Sequence, residues 1–333
     1  MPLAPPPATS APAAPVSEFD LIRRHFDRAA HHTDLAIGDD AALFRARPGM
    51  QLAVSTDMLV AGTHFLPDTD PEDLGWKTLA VNLSDLAAMG AEPRWALLAA
   101  ALPAADETWI AAFARGLFAC AEAFAVDLAG GDTTRGPLTL SVTIIGEVPL
   151  GEAITRAGAR PGDELWISGQ PGRAALGLAA LRGDIALDPA ARAECIAALQ
   201  RPQPRIALGL ALRGLASAML DVSDGLLGDL GHILERSASG AVIDVAALPL
   251  DALRRTGASD DRCRRSLLSG GDDYELLFTA PAAARSRIED LSRRLALPLH
   301  RIGTLTATAG ELQLREADGT LAAAAHTGYD HFR

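Results

Sequence analysis

The chain has 333 residues, 49% of them hydrophobic and 5% aromatic, and its 30 Lys and Arg against 42 Asp and Glu give a net charge of −12. That length exceeds the usual span of one hydrophobic core, so two domains are expected. The acidic balance argues against broad nucleic-acid or anionic-membrane binding, and charge or proline interrupts every apolar stretch short of membrane-spanning length. Residues 1–17, MPLAPPPATSAPAAPVS, predict a disordered Pro/Ala-rich tail with neither the basic nor the hydrophobic region of a signal peptide, so cytoplasm is the expected location. Apolar spacing predicts a helix over 18–30, then strands near 51–57, 94–102 and 138–148. Between them, Pro71-Glu72-Asp73 opens a helix that Gly90 stops, and Asp106-Glu107 opens another over 106–125. The turn-rich stretch from Gly151 to Gly162 places a domain boundary near 150, giving domains 18–150 and 151–333. The second half predicts strands at 164–169, 241–245 and 274–280, a helix start at 171–173, and helices over 203–215 and 224–237. Both halves mix α and β, without a regular βαβ repeat.

Acidic clusters recur along this framework: Gly38-Asp39-Asp40, Ser55-Thr56-Asp57, Asn82-Leu83-Ser84-Asp85, Gly130-Gly131-Asp132 and Asp221-Val222-Ser223-Asp224. Most end a short apolar run, which predicts that buried segments carry their polar tips to one rim of the core. Each cluster alone is ordinary turn or cap chemistry. Five together exceed what capping requires, and carboxylates gathered at one rim repel unless cations neutralise them. Oxygen ligands of this kind suit Mg²⁺ with substrate phosphates, so a magnesium-dependent enzyme acting on phosphates is the first expectation. Asp85 stands out, because its neighbours are apolar and an unpaired buried carboxylate is costly. The three cysteines, Cys120, Cys195 and Cys263, are too few and too dispersed for a disulfide framework or zinc site.

With these segments laid out, the chain resembles the thiamine-monophosphate kinase family, within the superfamily that includes aminoimidazole ribonucleotide synthetase. The resemblance runs from about Glu18 to Phe332, through EFDLIRRHF, IGDDAAL, STDMLVAGTHF, KTLAVNLSDLAAMGAEPRW, GGDTTRGPL, LDVSDGLLGDLGHI, LSGGDDYELLFT and GYDHF. It implies a two-domain α/β plus α+β fold of the aminoimidazole ribonucleotide synthetase type, whose N-terminal sheet lies at a homodimer interface. It also implies ATP-dependent phosphorylation of thiamine monophosphate to thiamine diphosphate, with several Mg²⁺ ions and ATP as co-substrate. No covalent enzyme intermediate is expected, since catalysis of this kind is positioning and charge neutralisation.

Carried over position by position, the resemblance implies a metal set of Asp40, Ser55, Thr56, Asp57, Asp85, Asp132, Asp221 and Asp224, with Asp85 as the bridging carboxylate. Gly131, Asp132, Arg156 and Ser223 match nucleotide-contacting positions, and Arg135 is a further phosphate candidate. His64 and Asp272 match acceptor-contacting positions. His326 stands where the family commonly has a ring-stacking aromatic, with Tyr329 and Phe332 anchoring the tail. Asp39 is read as shaping its turn and Asp229 as structural; Lys77, mid-helix, could reach a phosphate but is read first as a surface residue with its stem laid on the helix. Two alternatives share the acidic site: an ATP-dependent ligase or cyclase of the same superfamily, and a non-catalytic nucleotide-binding scaffold. The GTHF, GGDTTRG and GYDHF segments weigh against the first, and the intact acidic positions against the second.

Overall fold

The computed structural model describes residues 17–324. The first half runs α1 (Glu18–His25), β1 (Thr33–Leu35), β2 (Leu43–Phe44), β3 (Met50–Val60), α2 (Pro71–Ala88), β4 (Glu92–Leu102), α3 (Glu107–Ala123), β5 (Asp127–Arg135) and β6 (Thr139–Pro149). Strands β3, β6, β4 and β5 form a four-stranded sheet in that order, antiparallel except for β4 and β5. Both long helices start as their sequences predict. The Asp70 carboxylate accepts N–H from Glu72 and Asp73 ahead of Pro71, and the Asp106 carboxylate accepts N–H from Thr108 and Trp109. Where α2 crosses α3 the backbones touch: a Cβ on Gly116 would lie 1.7 Å from the Glu72 carbonyl oxygen, so only glycine fits.

The second half runs β7 (Glu164–Ser168), α4 (Arg173–Arg182), α5 (Pro189–Gln200), α6 (Ile206–Ala211), β8 (Ala218–Val222), α7 (Leu226–Ser237) and β9 (Gly240–Asp244). It continues with α8 (Leu250–Arg254), α9 (Asp260–Ser269), β10 (Glu275–Ala280), α10 (Arg285–Leu295), β11 (Leu299–Thr306), β12 (Leu312–Arg315) and β13 (Leu321–Ala323). Its seven-stranded sheet has the order β13-β12-β9-β11-β7-β10-β8, antiparallel except for β12 and β9. Period-two alternation splits this sheet between two cores. Trp166, Met219, Leu276 and Phe278 join the core that contains α2, α3 and the first sheet. Leu165, Ile167, Leu220, Val222 and Leu277 face a second core built on α4, α7, α8 and α9.

Helix α2 is therefore sandwiched between the two sheets, and 13 of its residues are buried. It has no polar face to give to water, which explains why its sequence lacks a clear amphipathic pattern. The expected helix over 203–215 shrinks to Ile206–Ala211, because Pro202 and Pro204 hold the preceding chain extended. The helix expected over 18–30 ends at His25. Among the described residues, no helix is long and apolar enough to cross a membrane.

Candidate active site

Three elements meet over the C-terminal half of α2. On β3, Ser55, Asp57 and Leu59 pair across the sheet with buried Ile144, Val142 and Leu140, so these odd-numbered side chains face α2. Leu52, Val54 and Met58 occupy the opposite, exposed face. On β8, Asp221 shares the α2-facing side with Met219, and beyond the strand come Ser223 and Asp224. Ser55 Oγ donates to Asp85 Oδ2 at 2.6 Å, and the Asp57 N–H donates to Asn82 Oδ1 at 3.0 Å. Asn82 is held in turn by donating to the Thr78 carbonyl oxygen.

The carboxylates strain against one another. Burial, then the charges of Asp85 and Asp224, push Asp57 up to about 6. Burial and the neighbouring Asp85 push Asp221 up to about 8. Burial also raises Asp85, opposed by the Ser55 hydroxyl and the Arg156 charge. Such a set is short of positive charge, and its all-oxygen chemistry fits Mg²⁺. Among the described residues, no group of three or more His, Cys, Asp or Glu is placed to hold a metal ion. Phosphate and water oxygens would complete the shell, as Mg²⁺ commonly requires.

Asp229 holds the β8–α7 turn. Its Oδ2 accepts N–H from Ser223, Asp224 and Gly225 at 3.0–3.1 Å, and burial, largest of its influences, carries it to about 7. The next segment is strapped to this turn: the Asp272 N–H donates to the Ser223 carbonyl at 2.8 Å, and the Tyr274 N–H to that of Val222 at 2.8 Å. Asp272 and Tyr274 adopt left-handed backbones, with φ of 66° and 51°. The result is a cleft of about 910 Å³ lined by Asp57, Asp85, Asp221 and Asp224 together with His64, Asp272 and Tyr274. Arg156, Arg182 and Arg262 also line it.

Residues 38–148 match the AIR synthase related protein N-terminal domain family, and residues 160–315 match its C-terminal domain family. The thiamine-monophosphate kinase of Escherichia coli (strain K12) is 48% identical over 320 residues, 95% of this chain and 98% of that protein. The crystal structure of thiamine-monophosphate kinase from Stenotrophomonas maltophilia K279a is 47% identical, with a TM-score of 0.82 over 91% of this chain and 95% of that one. AaThiL, solved as a complex with AMPPCP and TMP, is 29% identical, with a TM-score of 0.73 over 94% of this chain and 96% of that one.

The chain belongs to the thiamine-monophosphate kinase family. Its fold is that of the aminoimidazole ribonucleotide synthetase type, with the two domains in tandem.

The residues expected at a thiamine-monophosphate kinase site are only partly gathered in the cleft. Thr56 lines the cleft with Asp57, although it belongs to the exposed-face row of β3, where its Oγ1 donates to the Val142 carbonyl oxygen and bonds to Thr143 Oγ1. Asp40, Gly131 and Asp132 line a separate, largely apolar cavity of about 490 Å³ with Phe26, Phe44, Leu97, Trp109 and Phe113. Neither GGD nor STD is a strand tip: both lie within strands, β5 and β3, and LSD lies within α2. That corrects the expectation of polar tips at one rim, since only the IGDD and DVSD clusters sit at strand ends. Gly131 is required by packing in any case, because a Cβ there would lie 1.8 Å from the Leu98 carbonyl oxygen. Arg135 lines a neighbouring apolar groove away from the acidic floor. His326, Tyr329 and Phe332 lie outside the described residues.

The expectation that Lys77 lies on the surface is wrong. Helix α2 is enclosed on all sides, so Lys77 is 2% exposed and its Nζ donates to Asp272 Oδ1 at 2.8 Å. Sequence reasoning missed the pairing of Lys77 with Asp272 and gave Asn82 and Tyr274 no role. For Lys77 a signal existed: it is the one lysine of the chain's 30 Lys and Arg.

Proposed function

We propose that the chain transfers the γ-phosphoryl group of ATP to the phosphate of thiamine monophosphate, giving thiamine diphosphate and ADP, with the acidic cleft over α2 as the place of transfer. The observation that carries this reading is the convergence of Asp57, Asp85, Asp221 and Asp224, with Ser55 bonded to Asp85, on a cleft that His64 and Asp272 also line, in a chain 48% identical to a named thiamine-monophosphate kinase. A relative solved with AMPPCP and TMP supports the two substrates.

Two anionic phosphates must approach, so the site has to supply positive charge and fixed geometry. Asp57, Asp85, Asp221 and Asp224, with Ser55, would hold Mg²⁺, and Mg²⁺ bound there would neutralise charge on the transferring phosphates. Ser55 fixes the Asp85 carboxylate, Asn82 fixes the backbone at Asp57, and Asp229 fixes that of Ser223 and Asp224. Arg156 lines the cleft as a permanent cation for an ATP phosphate. Asp272 offers a carboxylate to the cationic acceptor. Asp40 and Asp132, with Gly131, belong on this reading to the nucleotide end, where the apolar cavity suits an adenine ring, and Thr56 lines the acidic cleft with the metal set. The exposed apolar row Leu52, Val54 and Met58 supports a homodimer through the first sheet. A boundary near residue 150 and a cytoplasmic location complete the proposal.

The test is product analysis after incubation with ATP, Mg²⁺ and thiamine monophosphate, with free thiamine and a purine-pathway amidine precursor as parallel acceptors. Magnesium-dependent thiamine diphosphate with equimolar ADP is expected. Turnover of the purine precursor alone would move the chain to the ligase branch, and silence on all acceptors would leave the scaffold.

A further inference from the structure

Of the chain's 30 Lys and Arg residues one is lysine, Lys77, and 29 are arginine. That residue sits on the most enclosed helix, 2% exposed, where an unpaired ammonium would be costly. Its partner is Asp272, 195 residues away in sequence, whose Oδ1 takes both Lys77 Nζ at 2.8 Å and Tyr274 Oη–H at 3.2 Å. Asp272 Oδ2 has no hydrogen-bond partner among the described residues, and the side chain keeps 29% exposure at the cleft. Among the described residues, one oxygen is thus fixed from behind and the other is open to the cleft. Lys77, Val81 and Asp85 fall on one stripe of α2, so eight residues at 1.5 Å rise set Lys77 about 12 Å from Asp85 along the helix axis. The stripe carries the acidic floor at one end and the Lys77–Asp272 pair at the other.

We propose that Lys77 is a positioning residue for the acceptor: its buried ammonium holds Asp272 by Oδ1 and presents Oδ2 to the cationic heterocycle of the phosphorylated acceptor. The inference rests on Asp272 being the acceptor contact proposed above, and it adds the residue that makes that contact selective. A compact ammonium engages one carboxylate oxygen as a point charge, whereas a planar guanidinium favours gripping both, which accounts for a lysine in a chain that otherwise uses arginine. Without Lys77 the carboxylate can turn, and its selection of a cationic ring weakens. A purely structural tie between α2 and the 270–274 segment would instead affect folding alone.

Two measurements separate these. With lysine labelled at ¹⁵Nζ, the wild-type protein carries a single side-chain ammonium signal. That signal should shift on adding thiamine monophosphate and stay in place on adding Mg²⁺ with a non-hydrolysable ATP analogue. In steady-state kinetics, Lys77→Met should raise the KM for thiamine monophosphate roughly tenfold, the scale of one oriented charge-assisted hydrogen bond, with the KM for ATP changed less than about twofold. It should also narrow the preference for thiamine monophosphate over an analogue whose ring is neutral, and Lys77→Arg should not restore that preference. An ammonium signal indifferent to the acceptor, or equal rises in both KM values, would overturn the inference. A wild-type enzyme that makes no thiamine diphosphate would instead remove the proposed function.

Discussion

Asp229 makes no contact with a reacting group on our reading, yet the acidic floor depends on it, and its removal has a calculable cost. One oxygen, Oδ2, accepts three backbone N–H groups, from Ser223, Asp224 and Gly225, and the residue is 4% exposed. Ser223 and Asp224 line the cleft, so their N–H groups regain water when the acceptor is removed, whereas Gly225 is buried and does not. Two exchanged bonds at about 1 kcal/mol each and one stranded donor at about 1–2 kcal/mol give a local cost of about 3 kcal/mol for Asp229→Ala. Because all three donors meet a single oxygen, Asp229→Asn retains the acceptor and should lose less than about 1 kcal/mol. The readout is amide hydrogen exchange of a peptide covering 220–230, since local opening need not follow global unfolding. A cost of about 3 kcal/mol accelerates exchange there roughly a hundredfold in the alanine variant. Turnover should fall with it, as the backbone of Ser223 and Asp224 loosens. Wild-type exchange in Asp229→Ala would refute the reasoning, as would an asparagine variant that opens as far as the alanine one.

Asp85→Asn should lower kcat by about a hundredfold or more, as loss of one electrostatic contributor to a transition state commonly does. Its metal-free thermal midpoint should hold or rise, because a like charge leaves the neighbourhood of Asp57 and Asp221; near-normal turnover would remove Asp85 from the site. The folded-state values of about 6 for Asp57 and about 8 for Asp221 lie above their unfolded value, so the folded chain binds more protons in that window. Stability of the metal-free protein should therefore fall as pH rises from about 4 toward 8, and Mg²⁺ with nucleotide should restore more at pH 8 than at pH 6. Thermal midpoints across that range, with and without Mg²⁺–ATP, check the sign; a flat metal-free profile would contradict it.

What the sequence made legible was local. Asp70-Pro71 and Asp106 announce their helices because an N-cap is read within four residues. The acidic clusters announce themselves by recurrence. Orientation was less accessible: Ser55, Thr56 and Asp57 are neighbours in sequence, but β3 turns the first and third toward α2 and the second away. The tips expected at one rim failed for a related reason, since a run that ends in polar residues can continue as strand when its neighbour supplies the ladder, as β4 does for β5. Asp132 and Asp57 thus share a sheet without sharing a cleft. Lys77 was misread because exposure on a helix is set by what packs around it. Its ion-pair partner Asp272 lies 195 residues away, beyond any periodicity in the local sequence.

The enclosure of α2 also explains how the site is assembled. A helix packed on one side could tilt without disturbing the other wall, but α2 touches the first sheet, α3, α6 and the β8 and β10 strands at once. The first half contributes Ser55, Asp57, Lys77 and Asp85, and the second contributes Asp221, Asp224 and Asp272. Neither half has a complete acidic floor or a complete Lys77–Asp272 pair. The carboxylates repel across the junction while the ion pair attracts across it, two turns further along the same helix. Metal and phosphate would relieve the first of these forces, and a cationic acceptor would draw on the second. Ligands would therefore enter a junction whose net tension they reduce, and the rigid rise of α2 keeps the two ends at a fixed separation while they do so.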